Sequence, residues 1–483
     1  MTDDGAGATS KKVPVAANTG AIRAVGLDLQ DGKVIPKRQV RAWALWDWAT
    51  QPFNSVLLTF VFVPLYLINT DFLPAGVADL PETDPAYVAG IADLSSQFGL
   101  AVALAGIAIA LLAPVLGQRA DASGRRKFWL AVWTGLLVLT MASLFFVQGQ
   151  PSFFVLGITL MAVGSVFSEI AGVNYNAMLV QVSTPKTVGR VSGLGWGLGY
   201  IGGILALIII AVLTQLDWFG LSGDNGMIYR IIAVGCAVWT IIFALPIFLN
   251  VPEVPPTVKR ETVSFFKSYV VLVKDIARLF KESRHTFWFL VASAVYRDGL
   301  AGVFTFGAIL ATGTFQFTSN ELLIFGIVAN LIAGVSTILS GRFDDRFGPR
   351  AVVLTALVGL VVAGLGVFFF HDAGKLAFWI GGLLLTAFVG PAQAASRSLL
   401  ARVTPAGRES EIFGLWATTG RAASFISPAL FSLFVAIAGV QLWGILGIVV
   451  VLIVGLVLML LVKLPDLRPA SPNSLPARSD NVG

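Results

Sequence analysis

The sequence has few of the residues that metal sites, redox centres and nucleotide sites require. It contains one cysteine, Cys236, and two histidines, His285 and His371, in 483 residues. One cysteine excludes an intramolecular disulfide and a cysteine metal cluster, and the two histidines lie at the ends of separate apolar runs. No GxxxxGK[ST] phosphate loop occurs. We therefore expect no metal, no organic cofactor and no catalytic residues, which means a protein that is not an enzyme.

Charged residues are also scarce, at 12% of the chain, whereas apolar residues make up 56% and the mean hydropathy is +0.82. Charge-free runs of roughly 20 residues, enough for a helix to cross a ~30 Å hydrocarbon layer, recur along the chain. They cover residues 94–116, 128–147, 191–216, 231–252, 322–341, 351–370 and 376–396. Runs of this length fit helices rather than the strands of a barrel, so the composition predicts a polytopic helical membrane protein.

Five further spans complete the count. The last charge-free run, residues 422–462, is about twice the length of one span and must turn back, which we expect near Gly439 and Gln441. Three spans that carry charges are expected at residues 42–68, 152–179 and 285–311. The prediction is an all-α membrane protein with twelve transmembrane helices, whose even number places both termini on one side.

The basic residues indicate which side that is. Lys and Arg accumulate in cytoplasmic loops, and with both termini inside most of the 33 basic residues fall on the inner side. The exceptions are Arg230, Lys375, Arg297, Arg397 and Arg421, while the outer loops carry Asp71, Asp79, Glu82, Asp84, Asp217 and Asp224. The net charge of +6 is therefore a topology signal and does not indicate nucleic-acid binding.

A basic turn occurs twice and indicates an internal duplication. Both copies read Gly, four residues on to Asp, three on to Gly, then a basic residue. The residues concerned are Gly117, Asp121, Gly124, Arg125 and Arg126 in the first copy, and Gly341, Asp345, Arg346, Gly348 and Arg350 in the second. At a nearly equal offset, Asn176 aligns with Arg397 and Gly193 with Gly414. Spans 4 and 5 therefore correspond to spans 10 and 11.

The first span begins with an unusually polar and aromatic stretch, residues 43–54. Pro52 cannot donate a hydrogen bond to the carbonyl of Trp48, so we expect the helix to bend or open there. Two interpretations stay open. The stretch is either an interfacial tryptophan belt with Asp47 reaching the headgroups, or part of a site that includes Asp47, Trp48, Gln51 and Asn54.

Six charges lie more than a turn inside spans 1, 4, 7, 10 and 11, whereas spans 3, 6, 9 and 12 carry none in their interiors. They are Asp47, Glu169, Arg297, Asp298, Arg397 and Arg421. Ionisable groups inside a membrane face protein or water, so the pattern predicts a central polar pathway between two halves. Polar neighbours that join the candidate substrate or coupling site are Asn174, Tyr175, Asn176, Tyr200 and Gln393.

Several roles for these charges remain open. Arg297 and Asp298 either neutralise each other or, because neighbours on a helix point about 100° apart, find separate partners. Arg397 lies near the inner end of its span, where its side chain can snorkel, whereas Arg421 lies deeper and is the expected anchor for an anionic group. Glu169 and Arg421 together could clamp a zwitterion. A coupling proton would be carried by Glu169 first, then by Asp298 or Asp47.

The chain divides into five parts. We expect a disordered cytoplasmic tail (1–41), a six-helix bundle (42–250), a cytoplasmic linker (251–284), a second six-helix bundle (285–464) and a second tail (465–483). The linker carries Phe265, Tyr269, Leu272, Ile276 and Leu279 at helical spacing with lysines and arginines between them. That stripe fits an amphipathic helix on the inner membrane surface, or a linker without further duty.

The two basic turns resemble the loop motif of the major facilitator superfamily. In that superfamily the motif aspartate, here Asp121 and Asp345, caps a helix of the other half and holds the outward-facing state. The first copy departs from the pattern because Ala122 replaces a basic residue, which puts one partner of the contact in doubt.

A narrower resemblance rests on residues 43–49, 175–179, 189–203 and 396–399. These motifs are similar to those of the autophagy-related vacuolar amino-acid effluxer family and its bacterial relatives, with a departure at Thr50-Gln51-Pro52. The family implies two pseudo-symmetric bundles, alternating access and export of amino acids.

The resulting functional hypothesis is a monomeric secondary transporter that works by alternating access and exports amino acids or similar small metabolites, in the inner membrane of a bacterium. Its expected partners are a small-molecule substrate, the lipid bilayer and, as a candidate, a coupling proton. The alternatives are a drug or sugar efflux transporter and a lipid-handling or non-transporting scaffold.

Overall fold

The computed structural model describes residues 26–215, 224–253 and 264–463. The expectations for residues 1–25, for the linker residues 254–263 and for the tail beyond residue 463 lie outside the described residues. Within them, twelve helical segments are long and apolar enough to span a membrane, which confirms the all-α prediction.

The first six spans form one bundle, called the N-bundle. Its helices are Lys37–Pro52 (α1), Pro85–Ser123 (α2), Arg126–Ser143 (α3), Phe154–Ala177 (α4), Val188–Gln215 (α5) and Met227–Asn250 (α6). Helix α7, Phe265–Glu282, lies in the linker. The second bundle, the C-bundle, comprises Arg284–Gly313 (α8), Ser319–Phe347 (α9), Pro349–Phe369 (α10), Lys375–Val403 (α11), Glu409–Ala423 (α12), Ile426–Ala438 (α13) and Gly444–Leu461 (α14).

Two spans are interrupted. After Pro52, where an opening was expected, the first span continues as a π-helix, Phe53–Phe60, and resumes after Val61 as Phe62–Leu67. Proline removes a hydrogen-bond donor and crowds the preceding turn, so the wider helix follows from its position. The eleventh span is broken between α12 and α13. Gly439, in the left-handed conformation at φ 68°, then ends α13 and reverses the chain as expected.

The segment that precedes the first span is ordered, so the expectation of a disordered tail is wrong for residues 26–41. Leu27 is buried, the backbone N–H of Gly26 donates to the carbonyl of Thr404 at 3.2 Å, and α1 already begins at Lys37. An apolar side chain and a backbone hydrogen bond to the C-bundle stabilise this segment, although its composition is polar.

Helix α7 packs on the protein. Leu272 and Leu279 are buried, and the hydroxyl of Tyr269 donates to the carbonyl of Leu111 on α2 at 3.3 Å. The stripe that was expected against the membrane surface therefore contacts the bundles, because it buries its apolar area there. Phe266, Val270 and Val273 on another side of the helix are exposed.

Candidate substrate and gating site

One ion pair bridges the two bundles near the middle of their length. The Nη2 atom of Arg421 on α12 lies 3.1 Å from Oε2 of Glu169 on α4, and both side chains are about one-third exposed, at 38% and 33%. The hydroxyl of Thr418, one turn earlier on α12, donates to the carbonyl of Ala110 on α2 at 3.0 Å. An acid and a base therefore face each other across the bundle interface, where both remain accessible.

A second arginine belongs to the same cluster. The guanidinium of Arg297 on α8 lies over the ring of Trp416 at 3.7 Å and donates from Nη1 to the Trp416 carbonyl at 3.0 Å. It is close enough to interact electrostatically with Glu169 and Arg421. The indole N–H of Trp416 donates to Ser293 at 3.2 Å, which fixes the ring. With one carboxylate and two guanidiniums, the cluster has one excess positive charge.

Arg397 forms a second, buried cluster. It extends from α11 of the C-bundle into the N-bundle, where Nη1 lies 3.2 Å from Oδ2 of Asp47 and 3.0 Å from Oδ1 of Asn176. Its Nε donates to Oγ of Ser192 at 3.0 Å and its Nη2 to the Ser192 carbonyl at 2.6 Å. The hydroxyl of Tyr175 donates to the same Asp47 oxygen at 2.9 Å.

Aromatic rings enclose this second cluster. The Arg397 guanidinium lies 5.0 Å from the Trp43 ring, 5.6 Å from the Tyr175 ring and 5.5 Å from the Trp196 ring. Arg397 is 1% exposed, so the interpretation that it snorkels is wrong: the N-bundle satisfies its donors directly. Asp47 is 21% exposed and points to Arg397, not to headgroups.

Gly195 on α5 makes room for this pair. A Cβ atom at Gly195 would lie 2.8 Å from the Tyr175 hydroxyl and 2.9 Å from both Nη2 of Arg397 and Oδ2 of Asp47. A side chain at this position would have to displace the ends of these three side chains, which hold the ion pair.

Asp298 belongs to neither cluster. Its Oδ2 accepts a hydrogen bond of 2.6 Å from the backbone N–H of Ser427, in the first turn of α13. Arg297 and Asp298 therefore have separate partners, as one of the two interpretations required. The carboxylate caps the helix that begins after the break in the eleventh span, so its role in this structure is to stabilise the helix.

The other candidate residues are more dispersed. Trp48 stacks on Trp239 at 5.9 Å, and the amide of Asn174 donates to its own helix at the Ile170 carbonyl. The hydroxyl of Tyr200 on α5 lies 3.4 Å from Oε1 of Gln393 on α11 and links the bundles. Gln51 donates to Ser55 at 3.4 Å, and Asn54 is exposed.

Ser192, Gly195, Trp196 and Trp416 were not chosen as site residues from the sequence. The sequence feature that could have identified Gly195 and Trp196 is the glycine-rich motif in which they lie. For Trp416, the feature is a single tryptophan in a span that also carries a buried arginine.

The two basic turns lie at one end of the bundles, the latch end, where α2 and α9 finish and α5 and α12 begin. The carboxylate of Asp121 accepts from the backbone N–H groups of Ser410 at 3.1 Å and Glu411 at 2.9 Å, in the first turn of α12. Arg126 lies 2.8 Å from Asp121 and also pairs with Glu409. Arg126 thus supplies the basic partner that was in doubt at Ala122.

The second latch is the pseudo-symmetric counterpart. Asp345 accepts from the N–H groups of Gly189 at 2.8 Å and Arg190 at 3.2 Å, at the start of α5, and from Nε of Arg190 at 2.8 Å. Arg402 lies 3.7 Å from Asp345 and 3.4 Å from Asp344. A carboxylate at a helix N-terminus satisfies free donors and complements the helix dipole.

Glycines allow close approach of backbones next to both latches. A Cβ at Gly414 would lie 2.6 Å from the Ala113 carbonyl oxygen, and one at Gly193 would lie 2.6 Å from that of Thr337. Gly117 and Gly341 face Ser410 and Gly189 in the same way.

The remaining motif residues have local roles. Gly124 and Gly348 take positive φ values of 63° and 88°. Arg125 and Arg346 lie over Phe128 and Phe347, and Arg350 donates to the Leu460 carbonyl at 2.9 Å.

Two pseudo-symmetric six-helix bundles with charged groups between them define a membrane transporter of the major facilitator type. A family model described as "Vacuole effluxer Atg22 like" matches residues 180–469. The chain belongs to this family.

Individual relatives agree with that class. The uncharacterised MFS-type transporter YxiO of Bacillus subtilis is 28% identical over 426 residues, which cover 86% of this chain and 92% of the relative. Autophagy-related protein 22 of Cryptococcus neoformans is 28% identical over 298 residues, or 55% of this chain and 49% of that protein. The solved proton:xylose symporter XylE superposes with a TM-score of 0.66 at 12% identity, over 88% of this chain and 95% of XylE.

Proposed function

We propose that the chain is a secondary transporter that exports amino acids or similar small zwitterionic metabolites by alternating access. The observation that carries the proposal is the Glu169–Arg421 pair, which places an acid and a base on opposite bundles at an accessible interface. A substrate ammonium group can replace Arg421 at Glu169, while a carboxylate binds Arg421 with two hydrogen bonds.

The energetics favour exchange at this pair. Ion pairs that remain accessible to water contribute only about 0–1 kcal/mol, so a zwitterion that offers both charges competes without a large penalty. Arg297 adds a second cation and is held by the Trp416 ring and carbonyl. The excess positive charge favours a ligand that carries at least one carboxylate.

The buried Asp47–Arg397 pair supports the alternating-access part of the proposal. Opening the latch end requires Arg397 to leave the N-bundle, together with both aspartate latches. Removing one partner of a buried ion pair costs about 3–5 kcal/mol. A proton on Asp47 would neutralise the carboxylate and so break the ion pair while both side chains stay in place. We therefore place proton coupling at Asp47, and substrate exchange at Glu169.

The expected setting is the inner membrane of a bacterium, with a monomer whose termini and latch end face the cytoplasm. The basic residues at the latch end support this orientation. They include Arg119 near the end of α2, Arg125 in the turn after α2 and Arg342 near the end of α9.

Flux assays on proteoliposomes test the proposal. Export of zwitterionic amino acids should exceed that of neutral sugars or cationic drugs, and Arg421→Gln and Glu169→Gln should each reduce amino-acid flux by about tenfold or more, since each removes a charged hydrogen bond worth roughly 1.5–3 kcal/mol.

Glu321→Gln is the matched control. Glu321 pairs with Lys375 at 2.7 Å within the C-bundle and the two side chains have similar exposure, 36% and 42%, so flux should be unchanged. Full flux in the Glu169→Gln and Arg421→Gln variants would mean that these charges serve assembly and do not bind the substrate. A wild type without flux would favour a non-transporting scaffold, and preferential sugar or drug flux would reject the amino-acid assignment.

A further inference from the structure

Helices of the C-bundle line most of a partly open apolar cavity of about 180 Å³, whose wall contains no residue of either charged cluster. Five helices contribute to its wall: α8, α9, α10, α11 and α14. Representative lining residues are Phe304, Phe325, Val367, Phe378, Leu385 and Ile448.

The chemistry of the wall favours an apolar ligand. Asn330 and Thr386 are its polar side chains, and each donates within its own helix, Asn330 to the Gly326 carbonyl at 2.8 Å and Thr386 to the Leu383 carbonyl at 2.9 Å. Apolar cavities of roughly 150 Å³ in proteins stay dry and bind small hydrocarbons such as benzene. A cavity of this size therefore fits one aromatic ring or a branched aliphatic group.

The cavity reaches the interface between the bundles. Phe60, in the π-helical part of the first span, belongs to its lining, although it lies in the N-bundle, and it is 48% exposed. The rest of the cavity wall belongs to the C-bundle and moves with it. Any relative movement of the two bundles therefore shifts Phe60 relative to the cavity.

We propose that this cavity is a binding site for a small apolar group, an aromatic ring or a branched aliphatic chain, which enters from the bundle interface beside Phe60. Two sources have this chemistry: the apolar side chain of a transported molecule and the acyl chain of a membrane lipid. Only the first source rests on the proposed amino-acid transport.

Two glycines are suitable positions from which to fill the cavity. Gly307 on α8 and Gly326 on α9 line it, and a Cβ at either position meets no atom within 4 Å. Gly366 on α10 is equally open to a Cβ but lies outside the lining. Gly307→Leu and Gly326→Leu are therefore designed to reduce the cavity volume, and Gly366→Leu is a matched control in the same bundle.

The first experiment is photolabelling of the purified full-length protein with a phenyl diazirine, with and without excess toluene. Mass spectrometry of peptides from α8 and α9 then separates label that toluene displaces from label on the lipid-facing surface. We expect displaceable label in the wild type and in Gly366→Leu, and a decrease of at least about tenfold in both filled variants, because a filled cavity has no room for the ring. Thermal unfolding of each variant verifies that it is folded.

The proposal is wrong if toluene displaces no label in the wild type, or if both filled variants retain label that toluene displaces. If one of the two filled variants does not fold, the labelling of the other filled variant decides the question.

The second experiment identifies the source through the ratio of leucine to alanine flux in proteoliposomes. A fall of about tenfold or more in Gly326→Leu but not in Gly366→Leu assigns the cavity to the substrate side chain. An unchanged ratio together with lost displaceable label assigns it to a lipid chain. A wild type that transports neither amino acid refutes the proposed function, while the labelling still decides whether the cavity is a site.

Discussion

Replacing Asp47 with asparagine should open the latch end. Asparagine keeps the shape and an acceptor for the Tyr175 hydroxyl, but it removes the only carboxylate whose ion pair with Arg397 is recorded among the described residues. Arg397 would then stay buried in the N-bundle without its counter-charge, whereas in a latch-open state it would be hydrated. The substitution therefore penalises the closed state selectively.

The magnitude follows from burial. Removing one partner of a buried pair costs about 3–5 kcal/mol, and the 21% exposure of Asp47 indicates the lower end of this range. Since about 1.4 kcal/mol is a tenfold change, the closed-to-open ratio should fall by roughly 100-fold. Glu169→Gln, at a partly exposed pair, should change the ratio by less than about fivefold.

Spin labels measure this ratio directly. Phe128→Cys at the start of α3 and Phe347→Cys at the end of α9 place labels on exposed positions of opposite bundles at the latch end, in a Cys236→Ala background. Pulsed electron–electron distance distributions should show one short distance for the parent and a dominant longer one for Asp47→Asn. A short distance that persists in Asp47→Asn would refute the reasoning.

Three further predictions test neighbouring features. Gly195→Ala should disrupt the Asp47–Arg397 cluster and reduce flux by about tenfold or more, since a loss of ~1.4 kcal/mol suffices. Gly199→Ala on the same helix should be neutral, because its Cβ would meet its nearest atoms at 3.6–3.8 Å. Equal flux in the two variants would contradict this prediction. Asp298→Ala should lower the stability by about 1 kcal/mol through loss of a helix cap, seen as a lower unfolding temperature, but should retain transport. Loss of transport in a stable variant would return Asp298 to the coupling site. Gly117→Val should impair assembly of the latch because the Ser410 backbone occupies the space, whereas an added Cβ at Gly106 on the same helix meets nothing within 4 Å. The unfolding temperatures of Gly117→Val and Gly106→Val should therefore differ by several degrees.

Much of the fold was predictable because its causes are local. Span number follows from the length of the hydrocarbon layer, and the twofold-repeated turn predicts two similar bundles. The buried charges predict the interface, since charges in a membrane must avoid lipid.

The pairing of these charges was not predictable, because it depends on contacts between distant helices. Arg397 inserts among residues of α1, α4 and α5, so its position near a span end suggested snorkelling instead. Asp298 caps a helix start that exists only because the eleventh span breaks after Ala423. Pro428 in the first turn of α13 marks this break in the sequence, but nothing local shows that a carboxylate from α8 caps the new helix. Leu27 packs at the latch end although its segment is polar in composition.

Substrate analogues can show whether Glu169 binds the ammonium group and Arg421 the carboxylate of the substrate. Proteoliposome uptake should be compared for an amino acid, its decarboxylated amine and its deaminated acid. We expect Arg421→Gln to abolish the preference for the amino acid over the amine, and Glu169→Gln to abolish the preference for the amino acid over the acid. If both variants keep the wild-type order of preference, the two residues do not bind the substrate.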